Sequence, residues 1–94
     1  MTDPKGIFGT CLPARDAFPE RVIETPISET MLTGALVGLA LDGWHPIYVH
    51  ARAEFSLLGW SQMVDTLAKW EWLHGTKMPV TIRCIVGRGW GQGP

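Results

Sequence analysis

Several things are scarce in this chain of 94 residues, and each scarcity excludes a class of function. Cysteine occurs twice, as Cys11 and Cys84, too few and too far apart for a disulfide scaffold or a paired metal motif. Cys84 falls in an apolar run and reads as a small buried hydrophobe. No apolar run is long enough to span a bilayer; the longest, Met31 to Leu41, is interrupted by Thr33, Gly34 and Gly38. The opening Met-Thr-Asp-Pro-Lys lacks the apolar core of a secretion signal, so a cytoplasmic location is expected, with no membrane association. Basic residues are scattered and the formal charge is -1, which gives no patch to track a nucleic-acid backbone.

What is present is an ordinary globular composition, 46% apolar and 18% charged, enough for one domain with a small core. The first twenty residues carry Pro4, Gly6, Gly9, Pro13 and Pro19 and read as an irregular arm with one short helix. Arg21-Val22-Ile23-Glu24 is a short strand candidate. After Pro26, Ser28 is placed to cap a helix over 29–42, apolar nearly all round and so expected to be buried on several sides, with Gly43 as its stop. A second strand is expected at Pro46-Ile47-Tyr48-Val49-His50. A long helix over 56–74 follows, with Leu57, Trp60, Met63, Val64, Leu67 and Trp70 as its core stripe and Gly75 as its end. Trp72 and Trp90 fall off that stripe and are expected to face a partner. Val80 to Val86 is the third strand, with the continuous apolarity of a parallel sheet. Strand-helix-strand-helix-strand predicts crossover units and an α/β layer.

Candidate site residues come next. Glu29 sits in the first turn of the apolar helix. A carboxylate there complements the helix dipole, and pattern alone favours that role over a buried acid contacting a heterocycle. His50 ends a strand, where ligands bind in open α/β sheets. His45, His50 and His74 lack metal-ligand spacing. Gly34 and Gly38 form a small-x-x-x-small pair that admits close approach of another element, including one at a subunit interface. Gly87-Arg88-Gly89-Trp90-Gly91-Gln92-Gly93-Pro94 has glycine at every second position, but no helix N-terminus follows it to complete a phosphate cradle.

The order of blocks resembles a known family. Asp3-Pro4-Lys5-Gly6-Ile7-Phe8-Gly9-Thr10, Pro19 to Glu29 with its Thr25-Pro26-Ile27-Ser28-Glu29 core, Gln62 with Ala68-Lys69-Trp70, Pro79 to Arg83 and the Gly87–Gly93 loop together are similar to the beta subunit of the thiamine diphosphate-dependent component of 2-oxo acid dehydrogenases, relatives of pyruvate and acetoin dehydrogenase. The resemblance implies a partial transketolase-like pyrimidine-binding domain, a parallel sheet with helices on both faces. Residues 1–94 then form one incomplete domain with residues 1–20 as its arm.

By the same resemblance, the glutamate matching Glu29 hydrogen-bonds a ring nitrogen of the cofactor aminopyrimidine. The aromatic residue matching Phe55 packs on that ring. His50, from its place at a strand end and not from the resemblance, is the third expected cofactor contact. Magnesium and the diphosphate belong to a partner alpha subunit, so no metal ligand is expected in this chain. An alpha subunit, a second beta subunit and a dihydrolipoamide acyltransferase core are the implied partners, in a heterotetramer. The chain departs from the family at Ser61, where an aspartate is usual, and through His50-Ala51-Arg52-Ala53-Glu54. The family's first strand and helix are expected before residue 1. A His-Ser-Gln loop and a C-terminal domain are expected after Pro94. The chain therefore reads as an internal piece or a truncated product, inactive in isolation. The alternatives are a non-catalytic interaction fragment and a piece of another transketolase-group thiamine enzyme, such as a synthase acting on sugars.

Overall fold

The computed structural model describes residues 9–87. The arm is helical where it is described: α1 spans Leu12–Ala17 and a 3-10 turn spans Pro19–Arg21. Pro13 sits in the first turn of α1, where its missing N–H is no loss. The glycine-rich loop beyond Gly87 lies outside the described residues, as does Trp90.

The expected strand at 21–24 does not form. The chain leaves the 3-10 turn at Arg21 and runs without regular structure to Ser28. β-branched residues there make a strand only if another strand pairs with them, and among the described residues none does. Ile23 is 80% exposed.

α2 spans Glu29–Leu41, one residue short of the expected end. Ser28 precedes it, but its hydroxyl makes no capping bond; the Ser28 carbonyl accepts from Leu32 N–H at 2.9 Å and opens the helix through backbone alone. Termination follows the sequence. Gly43 takes φ 88°, its N–H reaches the Ala40 carbonyl at 3.1 Å, and Trp44 N–H reaches Leu39 at 3.0 Å. That pair of bonds is the Schellman closure, which needs a left-handed residue and therefore favours glycine.

β1 (Ile47–His50) and β2 (Thr81–Cys84) pair in parallel, in the register Ile47 with Thr81 through His50 with Cys84. Both were read from the sequence, and the parallel pairing confirms the α/β class. The ladder continues past the strand ends: Ile85 N–H donates to His50 at 3.3 Å, and Ala53 N–H donates to Ile85 at 3.1 Å.

Between the strands the chain is helical but not one α-helix. A 3-10 stretch spans Ala53–Gly59, a π-helical stretch spans Gln62–Leu67, and α3 spans Ala68–His74. Gly75, at φ 68° and bonded back to Glu71 at 2.8 Å, ends it as expected. Three residues per turn in the first stretch and a wider turn in the second break the α-helical projection of the expected stripe. Trp60 is consequently 57% exposed rather than in the core. Trp72 is exposed, as its position off the stripe implied.

The core lies where α2 meets this helical segment. Thr33, Leu36 and Ala40 are its buried residues on α2, and Gly59 is buried opposite. The opposite face of α2 is open: Met31, Leu39 and Leu41 are exposed. The expectation of burial on several sides is therefore not met among the described residues, whose elements cover one face of α2. Gly34 lies against Gln62, whose Cγ would sit 3.8 Å from an added Cβ, whereas Gly38 faces open space.

Candidate functional site

In a parallel sheet the strand ends converge on one edge, and the loops beyond them are free to hold ligands. Here β1 ends at His50 beside the end of β2 at Cys84. The chain after β1 turns into the 3-10 stretch that carries Phe55, whose ring is 41% exposed. That stretch is tied to the start of α2. The Thr30 hydroxyl donates to the Leu58 carbonyl at 2.7 Å, and the Thr33 hydroxyl donates to the Glu29 carbonyl at 2.7 Å. Ser56 donates to Ala53 at 2.6 Å and braces the turn that carries Phe55. The first turn of α2 and the segment bearing Phe55 are thus held as one unit.

Glu29 is half-buried in that first turn. Among the described residues its carboxylate has no hydrogen-bond or ion-pair partner; the single ion pair there joins Lys69 to Asp65 at 2.9 Å. Its negative charge acts on two neighbours across the gap to β1. Burial pushes the Tyr48 phenol above its ordinary value, and the Glu29 charge adds to that. Burial pushes the His50 imidazole below its ordinary value, with the Glu29 charge opposing.

His50 is 2% exposed, and its Nε2 has no hydrogen-bond partner. Its ring tilts at 54° against Tyr48, with centroids 4.3 Å apart. A buried polar atom without a partner costs about 1–3 kcal/mol, so such atoms in native folds invite an explanation. The Gln62 side-chain oxygen is a second such atom. Tyr48 was not singled out in the sequence. Its signal was strand alternation, which puts residues 48 and 50 on one face.

The remaining candidates scatter. His45 hydrogen-bonds Thr81 at 3.0 Å, and His74 packs on Trp70 with centroids 4.5 Å apart. Ser61 donates to Asp65 at 3.2 Å; the Lys69 and Ser61 hydrogen bonds hold that carboxyl below its ordinary range. An apolar groove lined by Met63, Leu67, Ala68, Met78, Val80 and Ile82 shares no residue with the Glu29 edge. No group of three or more His, Cys, Asp or Glu side chains is placed to hold a metal among the described residues, and no helix there is long and apolar enough to cross a membrane.

The arrangement suits the edge of a nitrogen heterocycle. An orphaned imidazole nitrogen ends β1, an accessible aromatic residue follows it in the 3-10 stretch, and the charge of an unpartnered carboxylate at the start of α2 reaches that imidazole. Nothing among these three attracts a phosphate. A parallel α/β unit with an unpartnered carboxylate at a helix start is the class of protein defined by these features.

Comparison with known proteins places it within that class. The sequence profile of the transketolase pyrimidine-binding domain matches residues 3–93, and the chain belongs to that family. It is 31% identical over 86 residues to the beta subunit of acetoin:2,6-dichlorophenolindophenol oxidoreductase of Cupriavidus necator, covering 89% of this chain and 25% of that protein. It is 36% identical over 63 residues to the mitochondrial pyruvate dehydrogenase beta subunit of Homo sapiens, covering 67% of this chain and 18% of that one. The corresponding subunit of Rickettsia felis is 34% identical over 67 residues, 69% of this chain and 21% of the relative. The chain thus spans a quarter or less of the length of these relatives.

Proposed function

We propose that this chain contributes the pyrimidine side of a thiamine diphosphate site in the beta subunit of a 2-oxo acid dehydrogenase, acting on pyruvate or a related 2-oxo acid. The observation that carries the reading is Glu29, an unpartnered carboxylate in the first turn of α2 whose charge reaches Tyr48 and His50. Bound thiamine diphosphate supplies the carbon nucleophile and electron sink that decarboxylation needs. The chain's part is to orient that group and to hold a proton on it. Glu29 exchanges a proton with a ring nitrogen of the aminopyrimidine, Phe55 packs its exposed ring on the heterocycle, and His50 contacts the cofactor from the strand end. No residue here is assigned to magnesium, which falls to the partner alpha subunit with the diphosphate.

The open face of α2 supports the partners in this reading. Met31, Leu39 and Leu41 form apolar surface that the described residues do not cover, and Gly38 among them permits close backbone approach. The alpha subunit is the first partner proposed, followed by a second beta subunit and the acyltransferase core. The same face also supports a second reading, in which the chain assembles with partners without turning over.

The test is an assay of 2-oxo acid decarboxylation with an artificial electron acceptor, using the subunit assembled with its alpha partner. Glu29→Gln should lower the rate by roughly 10²–10⁴-fold, the usual worth of a positioned acid. An unchanged rate removes Glu29 from the chemistry. Assembly with no turnover in the native protein selects the second reading.

A further inference from the structure

We infer that Tyr48 is a further ligand-binding residue of this site, donating its phenolic hydrogen to an acceptor atom of the nitrogen heterocycle held against Glu29. The inference rests on the proposed thiamine diphosphate site and adds to it a contact from β1.

Tyr48 and His50 are two apart on a strand, so their side chains leave the same face, and the 4.3 Å separation of their rings places them together. Glu29 lies within electrostatic reach of both. The phenol and the buried imidazole nitrogen thus share one face of β1, and the Glu29 carboxylate is a third directional polar group whose charge reaches both. None is satisfied by another. The Glu29 carboxylate and the Tyr48 hydroxyl have no hydrogen-bond partner among the described residues, and His50 Nε2 is both buried and unpartnered.

An apolar ligand would leave all three unsatisfied. A phosphate would meet the negative charge of Glu29. A planar heterocycle with donors and acceptors in its ring plane satisfies them together, and an aminopyrimidine is of that kind. The phenol remains protonated throughout the physiological range, since burial and the Glu29 charge both oppose its ionisation. It therefore meets such a ring as a neutral hydroxyl with a hydrogen to donate.

Tyr48 is the single tyrosine of the chain, which makes the test direct. With ¹³Cζ-labelled tyrosine in this chain, assembled with an unlabelled alpha partner, titration with thiamine diphosphate and magnesium to millimolar concentration should shift the one tyrosine resonance saturably. The shift should vanish in Glu29→Gln. Tyr48→Phe should bind about tenfold more weakly, the loss of one hydrogen bond. If calorimetry shows Glu29-dependent binding while the tyrosine signal stays fixed, or if Tyr48→Phe binds as the native protein does, the inference falls and the site stands. If calorimetry on the same assembly shows no binding, the inference falls together with the site. Should Tyr48→Phe not fold, the native tyrosine resonance decides.

Discussion

Gly59 packs directly against Thr33. A Cβ added at Gly59 would lie 2.9 Å from Thr33 Cβ and nearer still to its hydroxyl oxygen. Thr33 is fully buried, and its hydroxyl is already committed to the Glu29 carbonyl. The contact therefore joins α2 to the 3-10 stretch and sits one helical turn from the proposed catalytic residue.

Gly59→Ala should destabilise the fold by roughly 1–3 kcal/mol, the usual effect of overpacking a tight core contact. Thermal unfolding followed by circular dichroism measures it. Thr33→Ala alone should also destabilise, because it empties the same contact. The double variant should recover part of the Gly59→Ala loss, since the hydroxyl oxygen nearest the added methyl is then gone while only the Thr33 Cβ contact remains. Simple additivity would show that the two residues do not press on each other.

His50 gives the fold a pH dependence whose sign follows from its burial. Its pKa in the folded chain lies below the value of 6.5 it has when unfolded. At pH above 6.5 it is neutral in both states and adds no pH dependence. As pH falls below that value the unfolded chain takes up the proton first, so stability drops until the folded pKa is passed. Melting temperature should fall in this window, and His50→Phe should flatten that part of the profile.

The Glu29 charge opposes the effect of burial on His50. Glu29→Gln should therefore move the His50 pKa lower still. Nitrogen shifts of the imidazole, followed against pH, read this directly. An unchanged His50 pKa would place the carboxylate away from the ring.

The stop of α2 offers a backbone test. Gly43 holds φ 88° with open space around it, so Gly43→Ala meets conformational strain and no clash. A loss of about 1 kcal/mol is expected, visible as a lower melting temperature. No loss would mean that the Schellman closure relaxes without cost.

The open face of α2 should govern association. Met31→Lys with Leu39→Glu should reduce binding to the alpha subunit in sedimentation or pull-down with purified components. The fold should keep its melting temperature, because both side chains are about half exposed. A large loss of stability would place them in the core instead.

The site was only partly legible in the sequence. Glu29 stood in a specific block, and His50 stood at a strand end, so both could be named in advance. Tyr48 was equally available from strand alternation, but nothing local to residue 48 says that the charge of Glu29, in the first turn of α2, comes to act on it. That relation joins residues 19 positions apart and exists only after folding. Phe55 was named from resemblance, and its exposed ring follows from the 3-10 turn around it.

What the sequence determined by itself was set by short-range chemistry. Gly43 and Gly75 ended helices because only a left-handed residue closes those ends, and β1 and β2 followed from apolar, β-branched runs. What only the tertiary structure decided was set by neighbours. Residues 21–24 have strand composition but no partner to bond, so they stay irregular. The stripe from Leu57 to Trp70 has α-helical spacing, yet the 3-10 and π turns rotate Trp60 outward. α2 is apolar on every side but is covered on one. Hydrogen bonding within a turn is local and can be read from residues in order, whereas pairing and burial depend on which surfaces the rest of the molecule brings up against them.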